Sequence, residues 1–356
     1  MKTDRTIRCT IMAAAAAITA SSCVSSYNYI TTDIHRDLSA DRTLYAQADS
    51  SYLAGDEDFC PFLFLTDSLW TTGQTDPAFS MDFYDETQTM NVYARRHFPS
   101  VGKDAMLPAD PDYRDCPQLN PEESVEKHFR WFYTLYEYKA VYKCIPDLPV
   151  PVSEFLTPEQ QRFFLLGEGI PDGWNGVELY CALDEMNTGF SQWYVKSTFK
   201  VSHDIVSGFC SPEMKTVMEE NSESILRKAM DSEQDVTPSI LCEWLDKADG
   251  TDRFTRLYDI HKSEADSAYA EKEKTVYFFT CALISEVSMP GKLIRTNAED
   301  FHDGAPRWKV DGYRLLYGDL TLSATSRENH PWAYVLTFII LWVVLYLIIR
   351  RFQRRI

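Results

Sequence analysis

Trp332 to Ile349 reads WAYVLTFIILWVVLYLII, eighteen residues without a charge, and no other stretch of this 356-residue chain limits its fold as much. A helix of that length, at 1.5 Å per residue, approaches the roughly 30 Å hydrocarbon core of a bilayer. It is apolar on every side, so it has no polar face to turn toward water. Trp332 and Tyr334 stand at one end, where interfacial aromatics belong, and Arg350, Arg351, Arg354 and Arg355 follow the other. The positive-inside rule then predicts a transmembrane helix over 331–349, a cytoplasmic basic tail over 350–356, and everything before the helix on the exported side.

The N-terminus points the same way. Lys2, Arg5 and Arg8 precede a short apolar run from Cys9 to Thr19, and Ala20-Ser21-Ser22 supplies small residues before Cys23. This is the layout of a secretory signal peptide over 1–22, and the run is too short to span a membrane. Ala20-Ser21-Ser22-Cys23 also resembles a bacterial lipobox, with alanine at Ala20 where leucine is more usual. That resemblance implies an acyl chain on Cys23. The expected partners are therefore the lipid bilayer, through Trp332–Ile349 and through that acyl chain, and an envelope protein. The expected location is the bacterial inner membrane, single-pass, with the large domain in the periplasm. One acyl chain anchors only marginally, so the helix would do the anchoring and the lipid would pin the start of the domain.

Between these ends the chain is acidic, with a formal charge of -18 overall, which excludes a nucleic-acid partner. Its 45% hydrophobic and 13% aromatic content calls for a packed core rather than disorder. The texture predicts β, then α, then β. Tyr27–Ile34, Thr43–Ala48 and Gln88–Arg95 carry strand formers or period-two alternation, with Leu44, Ala46 and Ala48 on one side. Pro99–Pro117 reads as a loop. Asn120-Pro121, Thr157-Pro158, Ser211-Pro212 and Thr237-Pro238 each place a capping side chain before a proline, the signature of a helix start. Further helices are expected over Val177–Phe199 and Asp252–Glu271. Thr275–Val287 is apolar on both faces, as a central strand is, and Leu320, Leu322 and Ala324 alternate again. The predicted class is α+β. A mixed or antiparallel sheet uses N-terminal (23–118) and C-terminal (275–330) strands, and a helical subdomain (119–274) is inserted between them. The first and last strands are expected to be antiparallel neighbours, both anchored at the bilayer.

Cys23, the aromatic segment EKHFRWFYTLYEY (Glu126–Tyr138), MPGKLIRTNAED, WKVDGYRLL and the terminal helix together resemble Bacteroidetes-type envelope lipoproteins with a C-terminal transmembrane helix. The C-terminal β section resembles mycobacterial-type lipoproteins that carry a β domain before a membrane helix. Both resemblances imply a location and an architecture, and neither supplies a catalytic residue.

The chemistry-bearing motifs are sparse. Ser197-Thr198-Phe199-Lys200 fits S-x-x-K but lacks its partner motifs, and reads as helix surface. No two of the seven histidines have ligand spacing, and Glu299, Asp300, His302 and Asp303 read as a solvated loop, so neither a metal site nor a cofactor is expected. Seven cysteines after Cys23 leave an odd number for any disulfide pairing. The aromatic segment reads as a helix over Pro121–Lys143 whose two aromatic stripes are buried on two sides, with Trp131, Tyr138 and Trp193 as the ligand contacts of the alternative reading. The expected function is a structural or interaction lipoprotein of the cell envelope without catalysis. The alternative is a glycan- or lipid-binding module, and a hydrolase with an unrecognised site stands third.

Overall fold

The structure, a computed structural model, describes residues 26–55, 60–82, 87–102, 107–109, 116, 119–145, 149–171, 173–232, 234–298 and 300–353. The stretch expected to be a signal peptide, Cys23 and the end of the basic tail lie outside them.

Eleven strands among the described residues form two sheets. The first has seven strands in the order β3-β4-β2-β1-β7-β10-β9. Its members are β1 (Ser26–Ile34), β2 (Ala40–Ala46), β3 (Thr71–Asp82), β4 (Thr87–Phe98), β7 (Cys281–Ser288), β9 (Asp300–His302) and β10 (Ala305–Asp311). The second, in the order β5-β6-β11-β8, comprises β5 (Glu122–Phe129), β6 (Tyr133–Tyr142), β8 (Lys292–Thr296) and β11 (Leu320–Asn329). Alternation sets the inward faces. Ile30, Leu44 and Val92 of the first sheet share one core with Tyr138, Ala140, Leu322 and Ala324 of the second.

The N- and C-terminal strands thus join in a single sheet, as the α+β reading requires, but not as neighbours of the expected kind. β1 lies between β2 and β7 and pairs with β7 in parallel, while β11 belongs to the other sheet. A parallel pairing needs a long crossover, and the helical insertion provides it. The direction of β1 is consequently reversed from expectation. β7 passes through the Met289–Gly291 turn into β8, which pairs with the end of β11. Gly291 has φ 87° and lies so close to the Arg327 backbone that no side chain fits. Arg36, just past β1, pairs with Glu328 near the end of β11. β1 therefore runs toward the C-terminal helix and begins at the far end of the sheet. Eight strand intervals of about 3.3 Å separate Ser26 from Ile34 by roughly 26 Å.

The segment Pro121–Lys143 is not a helix. It is the β5–β6 hairpin, paired from Glu122↔Val141 to Phe129↔Thr134. Its aromatics fit both periods, and the alternation prevails: Thr134, Tyr136, Tyr138, Ala140 and Tyr142 are buried and their neighbours are not. Bulky rings pack well on a pleated surface, and a strand buries this set completely where a helix would have split it. The other three proline-led starts are helices. Thr157 and Gln160 form a reciprocal capping box at α1 (Pro158–Leu166). α2 spans Gly176–Phe209, and Ser211 and Thr237 cap α3 (Pro212–Ser232) and α4 (Pro238–Asp249). Gly250, at φ 70°, closes α4. α5 (Arg253–Thr280) runs past the expected strand start at Thr275 and hands over to β7 at Cys281.

β6 leaves the sheets and β7 enters them at the same end, so α1–α5 stand beyond the β body on the side away from the C-terminal helix. Their packing centres on Trp193, fully buried in α2, whose indole donates to the Val150 carbonyl at 2.7 Å. A short α6 (Gly312–Tyr317) links β10 to β11. Then comes α7 (Pro331–Gln353), of which Pro331–Arg351 is long and apolar enough to cross a membrane.

None of the seven described cysteines is in a disulfide. Cys144 and Cys181 are exposed, whereas Cys242 and Cys281 are buried, and burial pushes the Cys242 thiol up to about 12. The thiolate is the reactive form. Maleimide at pH 8 should therefore modify Cys144 and Cys181 in the folded protein and Cys242 only after denaturation, read by peptide mass spectrometry.

Candidate functional site

On β2 the inward face runs Ala40, Arg42, Leu44, Ala46, and every one of these is buried. The alternation that builds a core therefore drives a guanidinium into it. Arg42 has 5% of its side chain exposed and pairs with Glu123 of β5, whose side chain is 8% exposed. The Tyr138 hydroxyl donates to the other carboxylate oxygen of Glu123 at 2.8 Å, and the guanidinium lies over the Phe98 ring at 5.7 Å. Two charges taken this far from water each incur a desolvation penalty of several kcal/mol, offset only when the geometry satisfies both. One atom of the group is not satisfied: Arg42 Nε is buried without a hydrogen-bond partner among the described residues.

Beside this pair is a cavity of about 370 Å³ between the two sheets. Ile30, Phe64, Leu119 and Leu283 supply apolar walls, and Arg42, Glu123, Tyr142 and Ser285 bring polar groups to it. Its size falls within the usual range for small-molecule sites, which combine apolar lining with a few placed polar groups. Burial pulls the Arg42 pKa down, but the adjacent Glu123 carboxylate more than compensates, and the net direction is up. Burial, then the charge of Glu123, raises Tyr138 and Tyr142, so both remain protonated. The unfolded chain would ionise these tyrosines near pH 10. Their contribution to stability is therefore complete below about pH 10 and is lost as pH rises toward the folded-state values.

The three residues expected to form a ligand surface are dispersed. Tyr138 belongs to the core between the sheets and Trp193 to the core of the helical insertion. Trp131 sits at the tip of the β5–β6 hairpin, half exposed, against the base of α7. Its indole donates to Thr337 Oγ1 at 2.8 Å and its ring meets Trp332 edge-on at 5.4 Å. Phe132 meets Tyr334 at 4.8 Å with the rings tilted, and Phe129 stacks on His330 at 5.2 Å. The hairpin tip and the first turns of α7 thus share one aromatic girdle, the composition that favours a membrane–water interface. Only Tyr138 touches the cavity's polar cluster.

The remaining motifs resolve without chemistry. Ser197 is fully buried rather than on a helix surface, and Lys200 instead binds Asp204 at 2.7 Å, so the S-x-x-K pair is not assembled. Asp300 pairs with Arg307 at 2.8 Å and His302 with Glu286 at 3.2 Å. Arg42 and Glu123 were missed for different reasons. Arg42 lies two residues before Leu44 on the face already read as inward, so the strand pattern carried the signal. Glu123 was hidden by the helical reading of its segment.

No protein-family model matches the chain, and no curated protein matches it. Among solved structures, the chain aligns with the NMR structure of the folded domain of the Mycobacterium tuberculosis LppM protein at 9% identity. The alignment covers 88% of this chain and 97% of that one, with a TM-score of 0.23. A superposition this loose leaves fold and function to be argued from the residues above.

Proposed function

We propose that the protein is a membrane-tethered binding domain whose inter-sheet cavity takes one small amphiphile, apolar body against Ile30, Phe64 and Leu283, anionic head toward Arg42. The observation that carries this is a charged residue driven into an apolar cavity with one donor still unpartnered. Such a donor costs free energy until something accepts from it. This reading keeps the lipid side of the glycan-or-lipid alternative and moves it from the aromatic segment to the cavity. The probe is a fluorescent anionic fatty-acid analogue titrated into the full-length protein in detergent. Saturable binding at one equivalent is expected, and Ser285→Phe, which fills the cavity, should abolish it. No saturable binding, or equal binding by Ser285→Phe, would overturn the proposal.

The same proposal places α7 across the bacterial inner membrane with the domain on the periplasmic side. The apolar length of α7, its aromatic girdle and Arg350 and Arg351 at its end support this orientation. With Cys23→Ala in place to remove any lipid anchor, a chain ending at His330 should move from the membrane pellet to the soluble fraction. An acyl chain on Cys23 remains part of the reading, with a geometric condition. Three residues reach at most about 11 Å, less than half the length of β1. Insertion of that lipid beside α7 requires the strands to lie along the bilayer rather than stand on it. Labelled fatty acid should mark the wild type and not Cys23→Ala.

A further inference from the structure

The histidines that look scattered along the chain are not scattered in space. His35 follows β1, Asp41 is the second residue of β2, and His97 is the penultimate residue of β4. The register sets Asp41 directly opposite His97, and the β1–β2 turn folds His35 back onto both. His97 Nδ1 lies 2.8 Å from Asp41 Oδ1 and His35 Nε2 lies 3.3 Å from Asp41 Oδ2. The three donor atoms all fall within 4.8 Å of one another, and the two imidazole rings stack at 6.2 Å.

We infer that His35, Asp41 and His97 form a binding site for a divalent transition-metal ion, zinc being the best chemical fit. Ligand atoms on a tetrahedral zinc sit about 2.0–2.2 Å from the metal, hence roughly 3.3 Å from one another. His35 Nε2 stands at that edge length from Asp41 Oδ2, and His97 Nδ1 lies nearer, at 2.8 Å, to Oδ1, so the two imidazoles flank the two oxygens of one carboxylate. The histidine-to-histidine distance closes with a small side-chain rotation, open to groups that are 45% and 60% exposed. Two neutral imidazoles and one carboxylate are a donor set that suits zinc and its first-row neighbours rather than calcium or magnesium, which take oxygen. Three protein ligands leave the fourth position to water, the pattern of an open site.

Two features outside the triad bear on a cation here, a guanidinium that orients the carboxylate and a second carboxylate that faces it. Arg95 donates to Asp41 Oδ2 at 3.0 Å. It shares Oδ2 with His35, leaves Oδ1, the oxygen beside His97, for a metal and fixes the carboxylate's orientation, as outer partners of metal ligands do. The register also sets Asp33 opposite Asp41 on the same sheet face. Two carboxylates facing each other across a ladder repel, and a bound dication would relieve that.

The site needs no assumption about the cavity. It lies on the outer face of the seven-stranded sheet, since Arg42, the next residue along β2, points inward. It lies at the end of the sheet nearer α7, because the adjacent Arg36 pairs with Glu328. A metal there would rivet the β1–β2 turn to β4.

The test uses full-length protein in detergent, stripped with chelator and titrated with ZnCl₂ against a chromophoric competitor. One equivalent should bind, and His35→Ala or His97→Ala should each lose it while retaining native circular dichroism. CoCl₂ should give tetrahedral d–d absorption in the wild type and not in His97→Ala. His261→Ala, remote from the triad, should bind as wild type does. Stoichiometry unchanged in His97→Ala, or no binding tighter than about 100 µM, would overturn the assignment.

Discussion

Glu123→Ala should destabilise the domain by about 3–5 kcal/mol, the cost of leaving a buried charge without its partner. The variant removes the counter-charge of Arg42 and the acceptor of the Tyr138 hydroxyl in one step, from a pair whose side chains are both less than a tenth exposed. Urea unfolding of the full-length protein in detergent, followed by tryptophan fluorescence, gives the number. The companion measurement is more informative. The pair Arg42→Met with Glu123→Leu removes both charges and keeps the volume, so it should recover most of the loss. It should also abolish binding of the anionic probe. A stable, non-binding double variant would separate what the ion pair does for the fold from what it does for a ligand. A loss below about 1 kcal/mol for Glu123→Ala would mean that water reaches the pair, and the buried site would have to be abandoned.

Trp193→Ala should cost a similar amount, about 3–5 kcal/mol, by a different mechanism. The indole fills the centre of the helical insertion, packs against Phe190 at 5.1 Å and satisfies the Val150 carbonyl. Truncation leaves a void and an orphaned acceptor together. The loss should fall on the insertion: protease sensitivity should rise in α1 and α2, while probe binding in the cavity persists. Loss of binding in step with stability would show that the two regions unfold as one unit.

Much of this fold can be read from the residues, and the exceptions have physical causes. The caps at Thr157 and Thr237 worked because a side chain and a proline act locally, with no need of tertiary context. α7 is equally local. β5 and β6 failed because rings every three or four residues and rings every two are the same letters in EKHFRWFYTLYEY; only the facing sheet chooses between them. The direction of β1 failed because antiparallel pairing was argued from proximity to the two ends of the chain. Its true partner, β7, is set by a crossover that no local pattern records. The sites divide in the same way. An arginine on an inward strand face is a local signal and could have been caught. The His35–Asp41–His97 triad depends on register between strands more than fifty residues apart, and linear spacing carries no trace of it.

The parallel pairing of β1 with β7 also sets an order in time. Tyr29 donates to Glu286 at 2.5 Å across a separation of 257 residues. During synthesis β1, β2 and β4 emerge early, yet one edge of β1 has no strand to bind until nearly the whole domain has been made. Until then a hydrophobic edge is open to other chains. The insertion shortens that wait. Its contacts are local, and helices form far faster than distant strands meet. Once α1–α5 have condensed, the ends of a long crossover are already close, and the closure entropy falls to that of a much shorter loop. Damage to the insertion should therefore appear first as aggregation during biogenesis, before any defect in the finished molecule.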